Sequence, residues 1–239
     1  MTASQTARQL ARAELTRAIK EAATRQLAET GAAALSLRAV ARDLGLASSA
    51  LYRYFPSRDA LLTALIVDAF NALGAAAESG AASAAPADPG VRWLAACRAV
   101  RQWALAHPHE FALVYGSPVP GYRAPTDTVD PATRVTRLMA ALVVEAHAAG
   151  LLRPPVQPLP GPRLVTQQVL DGAGGVPAEP YADLVERSLT LWISLIGTIS
   201  FELFGHLNKV ITDFPAYFDA AMTVAAEAIG LQVVPPPAA

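Results

Sequence analysis

Residues 36–61, SLRAVARDLGLASSALYRYFPSRDAL, constrain the fold more than any other stretch of this 239-residue chain. Two short apolar-periodic segments flank Gly45. Ser36 is placed as the N-cap of the first, which carries Leu37, Val40, Ala41 and Leu44. Gly45 closes it with a turn that tolerates positive φ. The second segment runs from about Ala47 to Tyr54 and must stop there, because Pro56 disfavours helical geometry at Phe55. Ser57 then caps a long helix with Leu61, Leu62, Leu65, Ile66, Ala69, Phe70 and Leu73. Two short helices joined at a glycine follow helix-turn-helix grammar. Small Ala41 lets the two helices approach, and Val40, Leu44 and Leu51 supply their shared seam. Ser48, Ser49, Tyr52 and Arg53 are left facing outward. In such motifs the second helix enters the major groove and its first residues reach base edges.

The same punctuation recurs along the chain. Leu15, Ala18, Ile19, Ala22 and Leu27 share a helical face that Gly31 ends. Gly74 to Pro86 reads as a fraying helix end and linker. Asp88-Pro89 starts a helix running to His107, and Pro108 starts a short successor with Phe111, Val114 and Tyr115. Gly116 to Pro125 is a turn-rich connection. Asp130-Pro131 opens another helix, ending at Gly150. A loop rich in proline and glycine follows from Pro154 through Gly175. Pro180 opens the longest apolar helix, and Asp213 starts the last one. The expectation is an all-α chain of about nine helices, in keeping with an alanine-rich composition. The domains are residues 1–63, 64–234 and a disordered tail at 235–239.

The net charge of −1 at first argues against a polyanion partner. Divided by segment, it says something else. Residues 1–63 hold nine Lys or Arg and five Asp or Glu, a net of +4, whereas residues 64–239 hold ten and fifteen, a net of −5. A weakly basic head on an acidic body is a reason to consider DNA for the head. The single cysteine, Cys97, excludes a disulfide framework. No run of 18 apolar residues free of charge is present, so neither a transmembrane helix nor a membrane partner is expected. With no apolar signal segment at the N-terminus, the expected location is the cytoplasm.

The 36–61 segment resembles the TetR family of transcriptional repressors. The resemblance rests on Leu37-x-x-Val40-Ala41-x-x-Leu44-Gly45, Leu51-Tyr52-x-Tyr54-Phe55 and Ser57-Arg58-x-x-Leu61, and covers roughly residues 10–65. It implies a homodimer on a palindromic double-stranded operator, with a C-terminal domain that binds a small-molecule effector. Residues 103–125 look like a subgroup with a Trp-His-Gly signature. Carried over by position, Ser48 and Ser49 begin the recognition helix, Tyr52 and Arg53 lie on its outer side and Tyr54 gives its hydroxyl to a phosphate. Arg58 pairs with backbone charge, and Ser36 and Arg38 meet phosphate at the preceding helix start. Arg53 has the alternatives of a solvated side chain or an intrahelical pair. Ala47 departs from the Ser or Thr common in the family, which leaves Ser48 as the alternative cap.

The body has no catalytic motif, and no cofactor or metal is expected. His107 and His109 flank Pro108 beside Glu110, without the i, i+4 spacing of helical metal ligands. Trp103, Phe111, Tyr115, Met139, Leu142, His147 and Trp192 are the candidate effector-lining residues, with ordinary core packing as the competing reading. The helix over 180–204 is apolar over more than one face and must be covered on two sides. Homodimerisation through helices at about 180–205 and 213–230 satisfies that. The expected function is a ligand-responsive repressor. The alternatives are an all-α enzyme using His107, Glu110 or His147 as base, and a helical protein-interaction module without DNA contact.

Overall fold

The structure, a computed structural model, describes residues 3–84, 86, 88–157, 159, 164–172, 175 and 178–233. Among these residues there are eleven α-helices and no strand, with one isolated antiparallel bridge between Leu152 and Leu231. The helices are α1 (Ala3–Thr30), α2 (Leu37–Asp43), α3 (Ser48–Tyr52), α4 (Arg58–Ser83), α5 (Pro89–Ala106), α6 (Pro108–Tyr115), α7 (Val129–Ala132), α8 (Arg134–Ala148), α9 (Gln167–Gly172), α10 (Leu184–Leu203) and α11 (Phe214–Glu227). The all-α expectation holds. The two helices beyond the expected nine are the single turn α7 and the six-residue α9, both too short for an apolar period to register.

Several caps fall where the sequence puts them. Ser57 Oγ accepts from Ala60 N at 3.0 Å, Asp88 Oδ1 from Val91 N at 2.9 Å and Asp213 Oδ1 from Ala216 N at 3.0 Å. Each satisfies a first-turn amide that has no partner inside its helix. Other boundaries differ. α4 does not fray at Gly74 but continues to Ser83. Its alanines favour helix, and its glycines permit close approach. A Cβ on Gly74 would lie 2.8 Å from Arg134 Cβ, and one on Gly80 would lie 2.6 Å from Ala99 Cβ. The helix expected from Asp130 is interrupted at Thr133, between α7 and α8. α10 begins at Leu184 rather than Pro180, with Asp183 at its N-cap position. That carboxylate accepts instead from Leu159 N at 2.7 Å and from Arg187 at 2.8 Å. The 235–239 tail, Gly174 and parts of the proline-rich loop lie outside the described residues.

The chain divides into two compact units, Met1–Ala72 with His107–Ala132, and Leu73–Ala106 with Thr133–Ala239. The core of the first joins Ile19, Ala22, Ala23 and Leu27 of α1 to Leu37, Val40 and Ala41 of α2, Leu51 of α3, and Leu61, Leu62, Leu65 and Ile66 of α4. Leu113, Val114, Val119 and Tyr122 pack against it. Tyr115 sits edge-on to Phe70 at 5.9 Å and tilted on Phe111 at 5.2 Å. Burial pushes the Tyr115 phenol well above its ordinary pKa, so it stays neutral.

In the second unit α5 is the central element. Trp93, Leu94, Cys97 and Val100 are buried there, among a core that also holds Leu142 of α8, Leu195 and Ile199 of α10, and Phe218 and Met222 of α11. Three ion pairs tie α5 outward: Arg92 to Glu145 of α8, Arg98 to Asp219 of α11 and Arg101 to Glu202 of α10. Burial raises the Cys97 thiol, with Asp219 adding to the shift, which keeps it protonated. By length and composition α4 and α10 are apolar enough to cross a membrane. α4 instead buries Leu61, Leu62, Leu65, Ile66, Leu73, Ala77 and Ala81 in the fold, as the core helix of a globular protein does.

Candidate nucleic-acid interface

The turn between α2 and α3 is built on Gly45. Its φ is +66°, a conformation that costs an L-residue with a Cβ about 1–2 kcal/mol. Leu46 N donates to Ala41 O at 2.8 Å and Gly45 N to Arg42 O at 3.1 Å. This pair of bonds is the Schellman closure, which satisfies the last carbonyls of α2. The chain then turns directly into α3, anchored by Leu51, which is fully buried. Ala47 occupies the N-cap position of α3, so the helix starts at Ser48 and no side chain caps it.

With Leu51 inward, Ser49, Tyr52 and Arg53 are exposed and Ser48 and Tyr54 are partly buried. Tyr52 is 45% exposed although it is a large aromatic. Tyr54 packs against the core, and Arg12 Cζ lies 5.7 Å from its ring centroid. Ser36 stands at the N-cap position of α2 without a side-chain cap bond. Its amide donates to Gln26 Oε1 at 3.0 Å, which fixes the entry of α2 against α1. Arg25 reaches Asp43 at 2.7 Å and ties α1 to the other end of α2.

Seven of the nine cations of the head sort into two groups. Arg17, Lys20, Arg25 and Arg58 are held by Glu21, Asp68, Asp43 and Asp59. Arg38, Arg42 and Arg53 are exposed and have no carboxylate partner among the described residues. Arg53 thus makes no intrahelical ion pair among the described residues. Because Asp43 is already neutralised by Arg25, α2 and the C-cap of α3 keep three arginines as local positive charge. Arg58 is also engaged by the backbone of the head. Its Nε donates to Leu35 O at 3.1 Å, and its Nη2 donates to Ala32 O at 2.9 Å and Ala33 O at 3.1 Å. The guanidinium holds together the link between α1 and α2, and three carbonyls already compete with phosphate for it. Sequence reasoning missed Gln26, Arg42 and the Arg12–Tyr54 contact. These are set by tertiary proximity and have no local pattern.

The candidate effector residues do not gather in one unit. Phe111 and Tyr115 belong to the unit that contains the helix-turn-helix. Trp103, Met139 and Leu142 are buried and Trp192 partly buried in the second unit. His147 is exposed and sits edge-on to Tyr181, ring centroids 4.8 Å apart. His107 occupies the N-cap position of α6 without a side-chain cap bond. Among the described residues no group of three or more His, Cys, Asp or Glu is placed to hold a metal.

Residues 19–65 match the family described as bacterial regulatory proteins, tetR family, and residues 93–225 match a tetracyclin repressor-like C-terminal domain. The HTH-type transcriptional regulator Rv1816 of Mycobacterium tuberculosis is 39% identical over 212 residues, covering 88% of this chain and 90% of the relative. The regulator Mb1846 of Mycobacterium bovis matches to the same extent. Among solved structures, SCO4313 is 32% identical with a TM-score of 0.69, covering 92% of this chain and 98% of that one. RolR, solved with the ligand resorcinol, has a TM-score of 0.52 at 18% identity over 96% and 99% of the two chains, a likeness of fold alone.

Proposed function

Given that the chain belongs to the TetR family and is a helix-turn-helix DNA-binding transcriptional regulator, we propose that it is a homodimeric repressor released from its operator by a small, largely apolar effector. Residues 1–63 are the DNA-contacting part. Ser48, Ser49, Tyr52 and Arg53 meet the major groove, and Ser36, Arg38 and Tyr54 meet flanking phosphates. Work on the chromosome puts the protein in the cytoplasm.

The observation that carries this reading is the exposed, carboxylate-free set Arg38, Arg42 and Arg53 beside the outward Ser49 and Tyr52. Dimerisation is supported by apolar side chains left in solvent on α10 and α11. Ile193 and Val224 are each 67% exposed, and Leu189, Phe201 and Tyr217 are exposed on the same two helices, with Phe204 exposed at the C-cap of α10. Several exposed large apolar side chains on neighbouring turns of a helix suit an interaction surface, and a two-fold axis would place the same patch on both chains. The effector would lie among Trp103, Met139, Leu142 and Trp192, whose apolar and aromatic character suits such a ligand. The resorcinol held by the structural neighbour RolR is a precedent for an aromatic one. A coupling of about 1–3 kcal/mol between effector and operator would change DNA affinity about 5–150-fold.

The test is a mobility-shift titration on the chain's own upstream region, with light scattering on the free protein. The expected result is a salt-sensitive complex and a dimer in solution. A monomer, or no complex with that region or any other promoter fragment at low salt, overturns the reading.

A further inference from the structure

α1 is longer than the core it packs on. Its inward stripe is Leu15, Ile19, Ala22, Ala23 and Leu27. Residues 6–14 are exposed without interruption, which at 1.5 Å per residue is about 14 Å of helix beyond the buried stripe. Followed toward the N-terminus in helical steps of three and four, the stripe passes from Ile19 through Leu15 to Arg12 and Arg8. Arginines therefore stand where the apolar side chains would continue, on the face that the helix-turn-helix occupies. The contact of Arg12 with the Tyr54 ring fixes that direction, since Tyr54 lies two residues past the end of α3. Arg8 lies one turn farther out, about 6 Å along the axis. Neither arginine has a carboxylate partner among the described residues. A helical overhang that buries nothing gains no stability from packing, and two cations on its DNA-reader side fit a run of phosphates.

We propose that Arg8 and Arg12 form a second, sequence-independent grip on the DNA backbone, on phosphates flanking the segment that α3 reads. The proposal rests on the head being a DNA-binding domain. It adds to that reading a pair of cations outside the helix-turn-helix. Each phosphate neutralised by a cation releases counterions, so the grip has a signature in salt dependence that base reading lacks.

The test is a salt titration of binding by the full chain, the R8A/R12A double variant and R17A. The probes are a duplex of the chain's own upstream region and a mixed-sequence duplex. R17A removes one positive charge from the same helix, at an exposed residue already paired with Glu21. Alanine keeps the helix propensity of α1, and thermal melting checks that each variant is folded. The expected result for R8A/R12A is a slope of log K against log salt shallower by about 0.9 for each phosphate no longer neutralised, near 2 per head. The preference for the upstream duplex over the mixed one should not change, and R17A should hold the parental slope. A parental slope in R8A/R12A, a loss per charge in R17A equal to that of the double variant, or a fall in sequence preference without a change of slope overturns the grip. Failure of the parent to bind either duplex would instead overturn the DNA-binding reading beneath it.

Discussion

Arg101 of α5 grips Glu202 of α10 through two parallel hydrogen bonds, Nε to Oε2 at 2.7 Å and Nη2 to Oε1 at 2.5 Å. The side chains are only 13% and 11% exposed, and the guanidinium also lies 5.5 Å from the centroid of the Phe218 ring. A buried pair of this kind is costly to break from one side, because the survivor keeps its desolvation without its partner. Arg101→Ala is expected to lose about 3 kcal/mol in urea unfolding. Arg101→Met with Glu202→Leu removes both charges and should recover most of that loss.

Arg58 and Arg38 should separate structure from DNA binding. Arg58→Ala removes the guanidinium donor from the carbonyls of Ala32, Ala33 and Leu35, of which Ala32 O keeps only its bond from Leu35 N, at a cost of about 2 kcal/mol. Its main effect should be a lower melting temperature. Arg38 is exposed and makes no ion pair among the described residues. Arg38→Ala is expected to keep stability within about 0.5 kcal/mol while lowering the salt slope of DNA binding by about 0.9 per head. The reverse pattern would return Arg58 to the phosphate role that its sequence position implied.

Gly45 has nothing within 4 Å of a Cβ built on it. Substitution there meets backbone strain alone, without a steric clash. Gly45→Ala is expected to destabilise by about 1–2 kcal/mol from the left-handed φ. Gly45→Asn should cost less, since asparagine visits that region more readily. The two variants, compared by thermal melting, distinguish strain from packing.

Asp183 carries a pH signature. Its hydrogen bond from Arg187 holds the carboxyl below its ordinary value; desolvation opposes this and the Leu159 amide reinforces it. A carboxylate with a depressed folded-state pKa contributes stability above its unfolded pKa, near 3.9. That contribution is lost as pH falls through the lower folded-state value. Asp183→Asn should therefore flatten the acid limb of a stability-against-pH curve below about pH 4, measured by urea unfolding across that range. An unchanged limb would mean that Asp183 is not among the groups that set it.

Features that depend on neighbouring residues are legible along the chain. Helix periodicity, the caps at Ser57, Asp88 and Asp213, the glycine turn at Gly45 and the helix-turn-helix string of 36–61 each depend on interactions a few residues apart, which amino-acid type largely dictates. Those features gave the all-α class and the outward positions of Ser49, Tyr52 and Arg53. The packed fold sets what depends on approach across long stretches of chain. It put α6 against the head rather than with the rest of the body, made Gly74 and Gly80 packing positions instead of a linker, and gave Arg58 three carbonyls. It also joined Arg98 to Asp219, 121 residues away. No periodicity records such partners. They exist because burying the apolar stripes of several helices at once fixes which polar groups meet, and that packing belongs to the whole chain rather than to any segment of it.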